Sequence, residues 1–165
     1  MSKRQASVDP HFPGDPDTGD PLIGARLRYG LEYVERRIGQ ALADAGYADI
    51  HPAHFKVLRF PPPDNERPID LAARAGMTKQ AMNYLLVQLE EMGYVRRVPV
   101  KGTPARLISL TDKGWKVAQI QRATVHAIED EWRQRIGERR FDVFYDVLTE
   151  LTDAEQQRAT GPLPE

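Results

Sequence analysis

Residues 67–110 read RPIDLAARAGMTKQAMNYLLVQLEEMGYVRRVPVKGTPARLISL, and the change of period inside them decides the fold. Apolar residues first recur at helical spacing, as Leu71, Ala72, Ala75 and Met77, then as Met82, Leu85, Leu86 and Leu89. Gly76 divides the two runs and permits a sharp backbone turn. Thr78 is a fair N-cap for the second run, and Gly93 closes it. Beyond Gly93 the pattern turns strand-like, with YVRRV at 94–98 and ARLISL at 105–110 joined by PVKGTP. Pro99 has no N–H to give a sheet, which puts it on an outer edge or at the hairpin's base. Helix, turn, helix, hairpin is the order of a helix-turn-helix followed by a wing.

Packing of the two short helices leaves one face of the second outside. That face carries Thr78, Lys79, Gln80, Asn83 and Tyr84, close to a helix N-terminus whose backbone N–H groups favour phosphate. An α-helix fits the major groove of B-DNA, where Asn or Gln pairs with adenine and Lys with guanine. Arg96 and Arg97 lead into the hairpin, and Lys101 and Arg106 lie on or beside the wing, placed for backbone or minor-groove contact. Glu90 and Glu91 sit at the far end of the second helix, away from phosphates.

The distribution of charge agrees. The chain of 165 residues has a formal net charge of −1, but residues 67–116 hold nine basic and four acidic groups while both ends are acidic. A positive stretch in an otherwise acidic protein is the footprint of a polyanion-binding face.

Outside this unit the period is helical. Leu27, Leu31, Val34, Ile38, Leu42 and Ala45 predict a helix over about 22–45. His51-Pro52 opens a second that runs to about Phe60, and PPPDN at 61–65 reads as a loop. Thr111-Asp112 starts a long helix through Val117, Ile120, Ile128 and Trp132 to Ile136, and Phe141, Phe144, Tyr145, Leu148 and Leu151 mark a last one. The resulting expectation is a mainly α chain with a small β-hairpin wing. It divides into a disordered arm (1–20), an N-terminal dimerisation helix (21–50), a winged helix-turn-helix (51–111), C-terminal dimerisation helices (112–158) and a flexible tail (159–165). The apolar stripes of the long helices exceed what a small winged domain covers, so they need each other and a second copy.

Several chemistries drop out. With no cysteine there is no disulfide framework, thiolate metal site or thiol nucleophile. No apolar run reaches the length of a membrane span and the first residues lack a signal-like core, so a soluble cytoplasmic protein is expected. His51 with His54, and His126 with Asp130, are spaced for one helix face, but two groups do not fill a metal site, and satisfied or surface histidines are the better reading. Asp142, Asp146 and Glu150 lie opposite an apolar stripe as a solvated ladder. Trp115 and Trp132 read as packing residues. No convergent catalytic group, cofactor site or metal site emerges, and no enzyme is expected.

The stretch LAARAGMTKQAMNYLLVQLEEMGYVRR (71–97) with LISLTDKG (107–114) resembles the MarR family of bacterial transcription regulators, more loosely over roughly 22–158. The resemblance implies a winged-helix homodimer whose first and last helices interlock. The helix from Thr78 would read an operator half-site and the wing would touch the neighbouring minor groove. Family wings commonly carry an Asp and paired Arg before the second strand; here the stretch is KGTPAR, leaving Lys101 and Arg106 to serve. Tyr84 stands where a basic residue is often found. The function implied is a sequence-specific, double-stranded DNA-binding regulator, a repressor on a pseudo-palindromic operator. Base reading would fall to Gln80 and Asn83 and phosphate anchoring to Lys79, Arg97, Lys101 and Arg106. Many relatives release DNA when a small molecule binds between the dimer platform and the winged domain. The competing reading is a winged-helix module whose basic face binds an acidic protein partner.

Overall fold

The computed structural model describes residues 20–59 and 61–160, with side chains as far as 153. The expected N-terminal arm, apart from Asp20, lies outside the described residues, as do 161–165 of the expected tail. In chain order the elements are α1 (Ile23–Asp44), α2 (Pro52–Leu58), β1 (Asp64–Glu66), α3 (Pro68–Arg74), α4 (Lys79–Glu91), β2 (Val95–Pro99), β3 (Arg106–Leu110), α5 (Asp112–Ile136) and α6 (Glu138–Thr160). Residues 159 and 160 therefore continue a helix rather than begin the tail. The chain forms two compact units that part after Thr124, within α5.

The first unit combines its helical segments with a three-stranded antiparallel sheet of order β1-β3-β2. Leu42, Val57, Leu58, Leu86, Leu89, Tyr94, Ile108 and Val117 are all buried to the last percent of their surface. The apolar stripe of α1 divides along its length. Ile38 and Leu42 are buried, whereas Leu27 and Leu31 remain 52% and 58% exposed. One stripe at constant spacing thus serves two purposes, because only its second half meets the unit's core.

The sheet corrects one expectation. The sequence suggests a two-stranded hairpin and a loop over 61–65, yet Asp64–Glu66 is a third strand on the free side of β3. Its pairing is irregular, Asp64 opposite Ser109 and Glu66 opposite Ile108, with Asn65 bulged between them. Asn65 takes φ 55°, a left-handed conformation that asparagine tolerates better than most residues. Its backbone N–H donates to Ser109 Oγ at 3.1 Å, and Ser109 Oγ donates back to Asn65 Oδ1 at 2.9 Å. Pro99 sits where its missing N–H requires, at the end of edge strand β2, paired with Arg106.

The turn between α4 and β2 is fastened from a distance. The Tyr94 hydroxyl donates to Asp49 Oδ1 at 2.6 Å, Lys113 Nζ lies 3.9 Å from the Tyr94 ring centroid, and the same ammonium donates to the carbonyl of Met92 at 2.9 Å. Burial, and then the hydrogen bond to Asp49, push the Tyr94 phenol well above its ordinary ionisation range.

The second unit holds the end of α5 and all of α6. The Arg133 guanidinium lies 4.5 Å from the Phe141 ring centroid and donates to Asp142 Oδ1 at 3.4 Å. Phe141 is buried, while Val143, Phe144, Val147 and Leu151 of α6 are exposed and Asp142, Asp146 and Glu150 face solvent. With Arg139 and Arg140, three of those apolar residues, Val143, Phe144 and Val147, line a shallow groove of about 500 Å³. Among the described residues no helix is long and apolar enough to cross a membrane.

Candidate nucleic-acid interface

The turn and cap that the sequence suggests are what aim α4. Gly76 has φ 62°, and the N–H of Met77 reaches back to the Ala72 carbonyl at 2.9 Å, ending α3. Two residues later Thr78 Oγ1 accepts the N–H of Ala81 at 3.2 Å and starts α4. Leu71 and Ala72 of α3 and Met82, Leu85, Leu86 and Leu89 of α4 are buried. Burying that stripe fixes the helix about its own axis and leaves the opposite face in solvent. Thr78, Lys79 and Gln80 are exposed, Asn83 is half-buried, and Tyr84 is 66% exposed. The Thr78 hydroxyl already has a structural task as the cap.

The wing tip, residues 100–105, is closed by the Val100 N–H on the Ala105 carbonyl at 3.1 Å and by the Ala105 N–H on Thr103 Oγ1 at 3.2 Å. Lys101 and Arg106 are exposed on it. Among the described residues neither they nor Lys79 forms an ion pair, so their charge is available to an outside anion.

Arg97 is placed differently. Its Nε donates to Glu90 Oε2 at 2.9 Å, which draws the guanidinium toward the C-terminal end of α4. The sequence puts Glu90 away from the phosphates and Arg97 among the anchors, but the fold joins the two. Arg96, its neighbour on β2, is exposed and makes no ion pair among the described residues.

The sequence reading did not connect two further side chains, Gln88 and His54, with this face. Gln88 Nε2 donates to the Tyr84 hydroxyl at 3.2 Å, and Gln88 Oε1 lies 3.3 Å from His54 Nε2. The spacing of Tyr84 and Gln88, one helical turn apart, was the available signal. His54 comes from α2 and nothing local predicts its arrival. It is 4% exposed, with its other nitrogen accepting the backbone N–H of His51 at 3.2 Å, and it is thus a satisfied histidine. His51, His54 and Gln88, with Asp49, Glu91 and Met92, line a hollow of about 330 Å³. Among the described residues no three His, Asp or Glu side chains gather as a metal site.

Comparison with solved structures bears on this geometry. A MarR family protein of Mycobacterium tuberculosis, in complex with salicylic acid, is 27% identical, with a TM-score of 0.59 over 80% of this chain and 97% of that one. A transcriptional regulator of Thermotoga maritima is 25% identical, with a TM-score of 0.55 over 82% and 95%. The transcriptional repressor CouR bound to a 23-mer DNA duplex is 21% identical, with a TM-score of 0.63 over 79% and 92%, a likeness of fold. No protein-family model and no curated protein matches the chain. The solved structures are those of regulators rather than enzymes, and they match this chain across nearly their whole length. With the turn, the capped second helix and the wing in the order described, the chain has the winged helix-turn-helix fold and is similar in it to solved MarR family proteins.

Proposed function

We propose that the chain is a sequence-specific, double-stranded DNA-binding transcription regulator. The observation that carries this reading is the exposed face of α4. Lys79, Gln80 and Tyr84 stand in solvent beside half-buried Asn83 on a helix whose other face is buried, with Lys101 and Arg106, which form no ion pair among the described residues, on the wing. Gln80 and Asn83 are suited to base edges in the major groove, and Lys79, Lys101 and Arg106 to phosphates. Arg97 joins them only on leaving Glu90.

The active form is a homodimer. Leu22 at the N-cap of α1, Ile23, Leu27 and Leu31 on α1, and separately Val143, Phe144, Val147 and Leu151 on α6 are all at least two-fifths exposed, apolar faces in keeping with a second copy. Two reading helices held by such a platform about 34 Å apart would meet a pseudo-palindrome one helical turn long. The regulator acts as a repressor, blocking transcription from the operator it covers. A small-molecule ligand releasing the DNA is in keeping with the salicylic acid and p-coumaroyl-CoA held by structural neighbours.

Selection of bound fragments from a random duplex pool tests the reading. The expected result is an enriched motif with twofold symmetry, bound with an affinity that falls steeply with salt. Recovery of no motif, with no salt-sensitive binding, would overturn it.

A further inference from the structure

We propose that Tyr84 meets nucleic acid as a hydrogen-bond donor whose direction is set from inside the fold by Gln88 and the buried imidazole of His54. The inference rests on the reading of α4 as the DNA-reading helix, and it assigns positioning roles to two residues that do not themselves touch DNA.

Three hydrogen bonds fix the direction in sequence. The backbone N–H of His51 can only donate, and it meets His54 Nδ1 at 3.2 Å, so that nitrogen presents its lone pair. The ring proton is therefore on Nε2, which donates to Gln88 Oε1 at 3.3 Å. With its oxygen engaged by His54, the Gln88 amide turns its NH2 to the Tyr84 hydroxyl oxygen, 3.2 Å away. The phenol oxygen is thereby used as an acceptor, and its own O–H is left to point outward from a side chain that is 66% exposed.

The buried histidine is what prevents the opposite arrangement. A glutamine amide free to turn over would offer its oxygen to Tyr84 and draw the phenolic proton inward. His54 stands on α2, 34 residues before Gln88, and is 4% exposed, so the constraint comes from the core rather than from α4. The outward O–H fits an acceptor on the duplex, either a phosphate oxygen or an acceptor atom of a base edge.

A double-mutant cycle reads the effect. The native chain, Tyr84→Phe, Gln88→Glu and the double variant are titrated against a duplex selected by the native chain and against an unrelated duplex of equal length. A carboxylate at 88 can only accept, so Gln88→Glu turns the Tyr84 proton inward. In the native background it should weaken binding about fivefold more than in the Tyr84→Phe background, the worth of one hydrogen bond. The double variant subtracts the cost of the added charge. Gln88→Met, which keeps length without polarity, serves as the second variant, with a smaller loss that also vanishes once Tyr84 is Phe. If the acceptor is a phosphate, both duplexes show the difference; if it is a base edge, only the selected duplex does. Equal costs in both backgrounds, or unchanged affinity of Tyr84→Phe for both duplexes, would overturn the inference while leaving DNA binding intact. A native chain that binds no duplex would overturn the proposed function and this inference together.

Discussion

The carbonyl oxygen of Tyr94 lies so close over Gly114 that a β-carbon there would come within 2.1 Å of it. That carbonyl is also held by the Thr111 N–H at 3.0 Å, so the close approach ties the entrance of β2 to the first turn of α5. The glycine is required by space, not by backbone conformation, because the atom it meets is backbone and cannot swing aside.

Gly114→Ala should therefore destabilise the first unit by about 3 kcal/mol or more, the upper range for overpacking. Gly39→Ala is the control. Nothing lies within 4 Å of a β-carbon at Gly39, in α1, and there the change should stabilise by about 0.5–1 kcal/mol. Urea unfolding of the two variants checks the contrast.

Stability should fall in alkali through Tyr94. Burial and the bond to Asp49 raise its folded-state ionisation above the unfolded value, so its contribution is whole below that value and is lost as pH rises beyond it. The loss should begin near pH ~10, where an unfolded tyrosine ionises. Tyr94→Phe should be less stable than the native chain at neutral pH by about 1 kcal/mol, one hydrogen bond, and the gap should close as pH climbs. Chemical denaturation across pH 8 to about 11 follows it. A gap that is constant with pH would contradict the assignment.

Freeing Arg97 should strengthen DNA binding. Its guanidinium is held by Glu90 at 2.9 Å, and Glu90→Gln removes both that restraint and a negative charge. The slope of log affinity against log salt should steepen by about 0.9 if Arg97 then takes up a phosphate, and Lys101→Ala should flatten it by a similar amount. Fluorescence anisotropy over a salt series measures both.

Charging the exposed half of α1 should dissolve the proposed dimer. Leu27 and Leu31 are 52% and 58% exposed, so glutamate at both costs the isolated chain little. Sedimentation of the native chain should give twice the single-chain mass of 18.7 kDa, and Leu27→Glu with Leu31→Glu should give 18.7 kDa with helical content retained.

How far each part of this protein could be read in advance depended on the range of the forces that make it. Helices α3 and α4 were legible because an apolar stripe, a glycine turn and a threonine cap are local, and the structure starts α4 at Lys79 behind a Thr78 cap as those signals indicate. Edge strand β2 was legible from Pro99 for the same reason. Strand β1 was not. Asp64, Asn65 and Glu66 are polar and few, and they become a strand only because β3 has a free side and Ser109 a hydroxyl at the right height.

The face of α4 shows the same division. Its residue types and outward direction follow from the amphipathic period alone, which any helix of this sequence would share. Tertiary structure decided what those residues are attached to: Arg97 to Glu90, Tyr84 through Gln88 to His54, and Tyr94 to Asp49 across 45 residues of sequence. Apart from the one-turn step from Tyr84 to Gln88, such bonds join side chains whose separation along the chain carries no periodic signal, so they exist only after packing has brought their backbones together.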